Sequence, residues 1–388
     1  MNNHSANSYE VTERRKMQKV KLGKICEITM GQSPESQYYN VLAQGLPFFQ
    51  GNADFGERHP FVRVWCTNPK KTSDVGAILM SVRAPIGALN LVNVKCAIGR
   101  GLVSLKPNSK CMLKYLLYAL KSKVEVLKSM GTGSTFKAIS KPIVEELEIP
   151  LPPIEEQRAI AEKLDKVSQL VDKRKEQLQQ LDQLVKSQFI DMFGDPAIDE
   201  DNGDTLGDYF NIVSGGTPDT KNMDYWQNGT IPWIGSSACQ NCVIKTVNQK
   251  FITQMGLHHS SSKILGAGTV LVALVGATIG KTALLKCETA INQNIAGIKV
   301  LENKQFTPQY VFYAMQFLYK KFMEIGGDKF KMANLTFIRG LPFAKQPIVL
   351  QNKFAEFVEM VDKLKEKVNN SLTHLNLLKQ SLMQQYFG

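Results

Sequence analysis

The sequence lacks most of the features that mark other protein classes. No stretch approaches the ~20 uninterrupted apolar residues of a membrane helix. The opening MNNHSANSYEVTERRKMQKVKLG has no apolar signal core, so residues 1–16 are expected to be a disordered leader, with Met17 a candidate natural start. Seven cysteines in 388 residues without a secretion signal point to reduced thiols and a cytoplasmic location, not to a disulfide framework. G-x-S-x-G, H-E-x-x-H and an Asp/Asn-Pro-Pro-aromatic motif are all missing. Those absences argue against a serine hydrolase, a zinc metalloprotease and an adenine methyltransferase. GDPAIDED (194–201) offers carboxylates without a lysine at nuclease spacing and is expected to be a solvated linker.

What is present is basic charge. The net charge is +12, with 28 basic and 19 acidic side chains in residues 1–194 and 19 against 16 in the remainder. Such an excess makes nucleic acid the leading partner class, through phosphate neutralisation.

The chain is also a duplication. LGKICEITMGQSP (22–34) returns as LGDYFNIVSGGTP (206–218), and VRAPIG (82–87) as VGATIG (275–280). AIGRGLVSLK (97–106) returns as AINQNIAGIK (290–299), and PIEEQRAIAEKLD as PIVLQNKFAEFVE. Each unit closes on Phe-Gly, at Phe193-Gly194 and Phe387-Gly388, an offset of 194 residues. Within a unit, the first ~130 residues mix short Val-, Ile- and Phe-rich runs with Gly, Pro, Asn and Ser, the pattern of many short strands with a few helices.

The last ~40 residues of each unit follow a heptad. Apolar residues fall at Ile160, Leu164, Val167, Val171, Leu178, Leu181, Val185 and Met192. The second copy places Phe354, Val358, Val361, Val368, Leu372, Leu375 and Leu382 likewise. Pro152 and Pro153 bar a helix before the first segment, and Gly194 and Pro196 end it. Each helix would be roughly 60 Å long. A lone helix cannot hide such a seam from water, so each is expected to cover the other; the alternative is that each packs on its own globular part.

Two local motifs compete for a chemical role. VGATIGKT resembles a phosphate-binding loop but has three residues between its glycines where four are needed. Its twin VRAPIGAL has Ala88 and Leu89 where Lys281 and Thr282 stand, so both copies are expected to be tight turns between strands. Cys239-Gln-Asn-Cys242 with His258-His259 has zinc-ligand spacing; the first unit has no counterpart, and small buried thiols are the alternative.

The candidate DNA contacts lie in the turns. Arg83 and Thr278 belong to the Ile-Gly turns, with Arg83 aligned against Gly276, and Lys281 follows the second turn. Arg100 stands opposite Gln293, beside Asn294; arginine suits guanine and glutamine adenine in the major groove. The loops GTGSTFKAIS (131–140) and GGDKFKMAN (326–334) add Thr132, Ser134, Lys137, Lys329 and Lys331, small hydroxyls and cations suited to phosphates.

In this order, given twice, the motifs resemble the specificity subunit of type I restriction–modification systems, from about Val20 to Gly388. The resemblance implies an α+β fold with two tandem target recognition domains, mixed strand-rich α/β globules. Two long helices would separate them as an antiparallel coiled coil with pseudo-two-fold symmetry. The expected domains are 17–150 and 195–345, with helices over 151–194 and 346–388. The resemblance further implies a non-catalytic chain that reads one half of a bipartite DNA target with each domain. Its partners would be double-stranded DNA, modification subunits using S-adenosylmethionine and restriction subunits using ATP and Mg2+, with no cofactor, metal or membrane contact of its own. A protein-binding scaffold and a nucleotide-hydrolysing enzyme are the competing classes. AKQPIVLQNKF departs from IPLPPIEEQRA by two acidic residues and a proline, which leaves the second helix start open.

Overall fold

The computed structural model describes residues 18–131, 138–195, 203–299, 305–325 and 332–388. The chain forms two compact units, Met1–Arg174 with Ser371–Gly388, and Lys175–Asn370.

In the first unit, an antiparallel sheet runs in the order Cys26–Met30, Leu102–Pro107, Ile78–Ser81, Leu89–Leu91. Its centre is buried on both faces. Ile78, Met80 and Val82 enter one cluster, while Ala77 and Leu79 enter another, the two-residue alternation of a strand. A mixed five-stranded sheet pairs Leu46–Phe49 in parallel with Cys96–Ile98.

The second unit repeats the plan. Asn211–Ser214, Ile295–Lys299, Val270–Ala273 and Thr282–Leu285 follow the same order, with Cys242–Ile244 added at the edge. Val270, Val272 and Leu274 face one cluster and Leu271 and Ala273 the other. The apolar run before VGATIGKT is therefore a strand covered on both sides. The second sheet pairs Ile231–Ile234 in parallel with Thr289–Ile291.

The long helices span Ile154–Phe193 and Ile348–Phe387, 40 residues each. The second begins directly after Pro347, at the same offset as Ile154 after Pro153, although its first turn lacks the acids Glu155 and Glu156. Proline geometry, not the dipole-favouring acids, fixes the start.

Each unit holds the beginning of one long helix and the end of the other, running antiparallel. In the first, Ile160 and Leu164 share a core with Phe387, Leu382 and Met383. In the second, Phe354, Val358 and Val361 share one with Val185, Phe189, Leu181 and Met192. Both cores also contain domain residues, Leu116 and Leu120 in one and Tyr310 and Met315 in the other. The seam ends are thus covered by the other helix and by the domain together, where the sequence set these as alternatives. Val167, Val171 and Val368 are buried as well, whereas Leu178, Leu372 and Leu375 are half-buried.

Polar contacts reinforce the seating. Asp165 on the first long helix accepts from Lys114 Nζ at 2.7 Å and the Tyr118 hydroxyl at 2.8 Å. Burial works against its charge, but these bonds and the nearby cations Lys114 and Arg58 outweigh it and hold the carboxyl below its ordinary value. In the other unit, Lys365 Nζ reaches Asp182 at 2.7 Å across the two helices.

Candidate nucleic-acid interface

In both units, three loops meet at the ends of the central strands. The first is the G-x-Ser/Thr-Pro segment. Ser33 Oγ accepts from the Arg100 backbone N–H at 3.2 Å, and Gln32 N donates to Ile98 O at 3.0 Å. In the other unit Gly216 N donates to Ile291 O at 3.1 Å, and Thr217 Oγ1 to Gln293 Oε1 at 2.7 Å.

The second loop holds Arg100 or Gln293, both exposed. Around Arg100 the backbone lies so close to its neighbour that a Cβ on Gly101 would stand 2.4 Å from Gln50 O. The glycine therefore lets Arg100 project from a turn pressed onto the sheet. Asn292 and Asn294 take the flanking places in the second unit, and Asn292 Oδ1 accepts from Asn294 N at 3.1 Å. The Tyr39 hydroxyl donates to Pro34 O at 2.7 Å, and burial raises its pKa against the opposing pull of the Arg100 charge.

The third loop is the Ile-Gly turn, which joins antiparallel strands in each unit. Val82 N donates to Gly101 O and accepts at its carbonyl from Ile139 N; Leu274 does the same with Asn294 O and Ala333 N. Bridges Arg83 to Ala138 and Val275 to Met332 continue the match. Arg83 is therefore the counterpart of Val275, not of Gly276 as the sequence alignment had it. The second turn is one residue longer, and its extra length forms the 3-10 turn Gly276–Thr278. Arg83 is exposed; Thr278 and Lys281 are half-buried, and Lys281 Nζ donates to Gln240 Oε1 at 3.0 Å.

Three amides of this turn are already engaged within it. The amides of Ile279, Gly280 and Lys281 donate to Gly276, Ala273 and Thr278 carbonyls at 3.1, 2.8 and 2.9 Å. A nucleotide cradle needs such N–H groups free. The Cys-x-x-Cys pair is likewise absorbed by packing. Cys239 lies fully buried in an apolar cluster, where burial pushes its thiol up to about 12, and His259 stacks on Tyr225. Among the described residues, no group of three or more His, Cys, Asp or Glu side chains is placed to hold a metal.

Thr132, Ser134, Lys137, Lys329 and Lys331 lie outside the described residues. The residues after both loops, Ala138–Ile139 and Met332–Ala333, are bonded to the Ile-Gly turns as above.

Four contributors were not singled out by the sequence. Ser33 and Thr217 were visible as a repeated motif whose role only the hydrogen bonds reveal. Asp54, almost buried, accepts from Gln50 N at 2.7 Å and pairs with Arg63 beside the Arg100 turn. A cleft of about 630 Å³ reaches Asn292, next to Gln293 in the chain, and is lined among others by Trp233, Ser236, Asn248, Gln249 and Lys250. Nothing in local spacing announces either of these two, because their parts come from separate loops.

The sequence profile described as Type I restriction modification DNA specificity domain matches residues 14–183 and again 204–374. The chain belongs to this family. It is 41% identical over 173 residues to the putative type I restriction enzyme MjaX specificity subunit of Methanocaldococcus jannaschii, covering 43% of this chain and 40% of that one. It is 24% identical over 334 residues to the MjaIX specificity subunit of the same organism, covering 79% and 74%. The chain thus spans about two fifths of the first relative and three quarters of the second. The type I restriction–modification S subunit from M. genitalium has a similar fold, with a TM-score of 0.56, 18% identity and coverage of 96% and 97%. Among the described residues of this specificity-family chain, no helix is long and apolar enough to cross a membrane.

Proposed function

We propose that this chain is the DNA-reading subunit of a type I restriction–modification complex. Its recognition domains, 17–150 and 195–345, each engage one half of a bipartite target. The helices over 151–194 and 346–388 set the spacing and dock modification subunits. Methylation with S-adenosylmethionine and ATP- and Mg2+-dependent cleavage belong to modification and restriction partners in the cytoplasm, and this chain supplies the address.

The observation that carries the reading is a matching loop framework with different side chains. Each family match includes the same three hydrogen-bonded loops, but Arg100 stands where the other copy has Gln293, and Arg83 where it has Val275. A shared frame presenting arginine in one copy and an amide in the other suits two unlike half-sites. The net charge of +12 supports a polyanionic partner. The absorbed amides of the Ile-Gly turn argue against nucleotide hydrolysis.

Replacing residues 17–150 by the same domain of a paralogue, in a host expressing the modification subunits, tests the reading. Methylome sequencing is expected to show one new half-site, with the other half and the spacer unchanged. Two altered half-sites, or none, would overturn it.

A further inference from the structure

Gln157 and Gln351 are completely buried, one near the start of each long helix, and their bonding is the same. The Gln157 amide donates to Pro152 O at 2.8 Å and Lys110 O at 2.9 Å, and its carbonyl accepts from Met112 N at 2.9 Å. Gln351 donates to Gln346 O at 2.8 Å and Gln305 O at 3.1 Å, and accepts from Thr307 N at 2.8 Å. Met112 and Thr307 stand at the N-cap positions of the domain helices Leu113–Ser122 and Pro308–Phe317. One side chain thus fastens the entry of the long helix to the entry of the domain helix.

The task demands glutamine. It requires two donors and an acceptor on one planar group at this reach; glutamate has no second donor and methionine no donor at all. A tyrosine adds a second tie in each unit. The Tyr115 hydroxyl donates to Pro150 O and that of Tyr310 to Ala344 O, both at 2.7 Å. The ring of each meets the terminal phenylalanine of the other long helix, with Phe387 centred 5.3 Å from Tyr115 and Phe193 4.9 Å from Tyr310. The duplicated Phe-Gly thereby gains a role: it ends one helix against the joint of the other.

We propose that Gln157 and Gln351, with Tyr115 and Tyr310, are positioning residues that hold each recognition domain in one orientation on its helix ends. They determine how strictly spacer length is enforced, while the exposed loops determine the half-site bases. The inference rests on the reading of the chain as a bipartite DNA reader. It places spacing control at the joints in addition to helix length, because a rigid helix transmits spacing only as well as its ends are clamped.

The experiment uses the full chain co-expressed with its modification subunits in a methylation-free host, followed by methylome sequencing. Wild type is expected to give one bipartite motif with one spacer. Gln157→Met, near-isosteric but unable to bond, is expected to keep both half-sites. Discrimination against a spacer one base pair longer or shorter should fall about tenfold, or ~1.4 kcal/mol. Tyr115→Phe, which keeps the ring on Phe387 and loses only the Pro150 bond, should show a smaller loss in the same direction and guards against misfolding of the first variant. A uniform fall in methylation with an unchanged spacer in the folded variants, Tyr115→Phe included, overturns the inference and leaves the functional reading intact. No bipartite motif from wild type overturns the functional reading, and this inference with it.

Discussion

Under the proposed function, Arg100 is the first unit's candidate base contact, and it is exposed. Its backbone N–H is held by Ser33 and its turn is pressed against Gln50, so the guanidinium extends from a fixed root. A rooted, planar fork is suited to a bidentate contact with one guanine, worth about 1–3 kcal/mol of discrimination. Arg100→Ala should weaken specific binding by the complex with modification subunits about 5- to 150-fold. The loss should be confined to changes in one half-site. Competition binding with duplexes altered in either half provides the check, and equal loss for both halves would refute a base contact. A protein-binding scaffold would show neither the loss nor a salt dependence of DNA binding. The same root explains what sequence spacing could and could not reveal. Arg100 against Gln293 was legible because AIGRG and AINQN align without gaps. Arg83 was mispaired because the longer turn hides its extra residue between two conserved-looking ends, and only the Val82 and Leu274 hydrogen bonds settle the correspondence.

At the scale of the element, the long helices are held hardest near their ends. Phe189 is fully buried and has ring neighbours Phe317, Phe193, Phe354 and Tyr310 at 5.0, 4.9, 5.4 and 5.7 Å. Phe189→Ala should therefore cost about 3–5 kcal/mol, lowering the melting transition of that unit by roughly 10 °C. Leu375→Ala, at a half-buried seam position, should cost less than about 2 kcal/mol. Differential scanning calorimetry of the two variants separates an end-clamped pair from a uniform zipper, for which the losses would be similar. The heptad made the helices and their seam legible, since a 3.5-residue repeat is a local signal. Phe189 and Phe387 escaped it because they face the domain as well as the other helix, and a seam pattern registers only one neighbour. The buried glutamines escaped for the opposite reason: a polar residue among heptad positions ordinarily marks the solvent side. The strand-rich character of the domains was visible in composition. Their sheet order was not, because parallel pairs such as Phe48 with Ala97 join segments far apart in the chain.

For the whole molecule, duplication allows two units to arise from one plan while each diverges in its loops. Both units keep the strand order, the three-loop cluster and the glutamine–tyrosine joint, and they differ in the side chains those loops present. If the helices set the distance between half-sites, their length is the variable that tunes it. Four residues inserted into each long helix at matching positions, between Arg174 and Leu178 in the first and between Val368 and Leu372 in the second, add about 6 Å of helix, at most about two base-pair steps. Four residues are also close to one full turn, so the apolar seam stays nearly in phase and the helices can still cover each other. Methylome sequencing of such a chain with its modification subunits should return the original half-sites with a spacer longer by one or two base pairs. Because the joints at Gln157 and Gln351 are untouched, the new spacing should be enforced as strictly as the old. An unchanged spacer would remove the helices from distance setting. A longer but blurred spacer would show that strictness depends on the helix interior and not on its clamped ends.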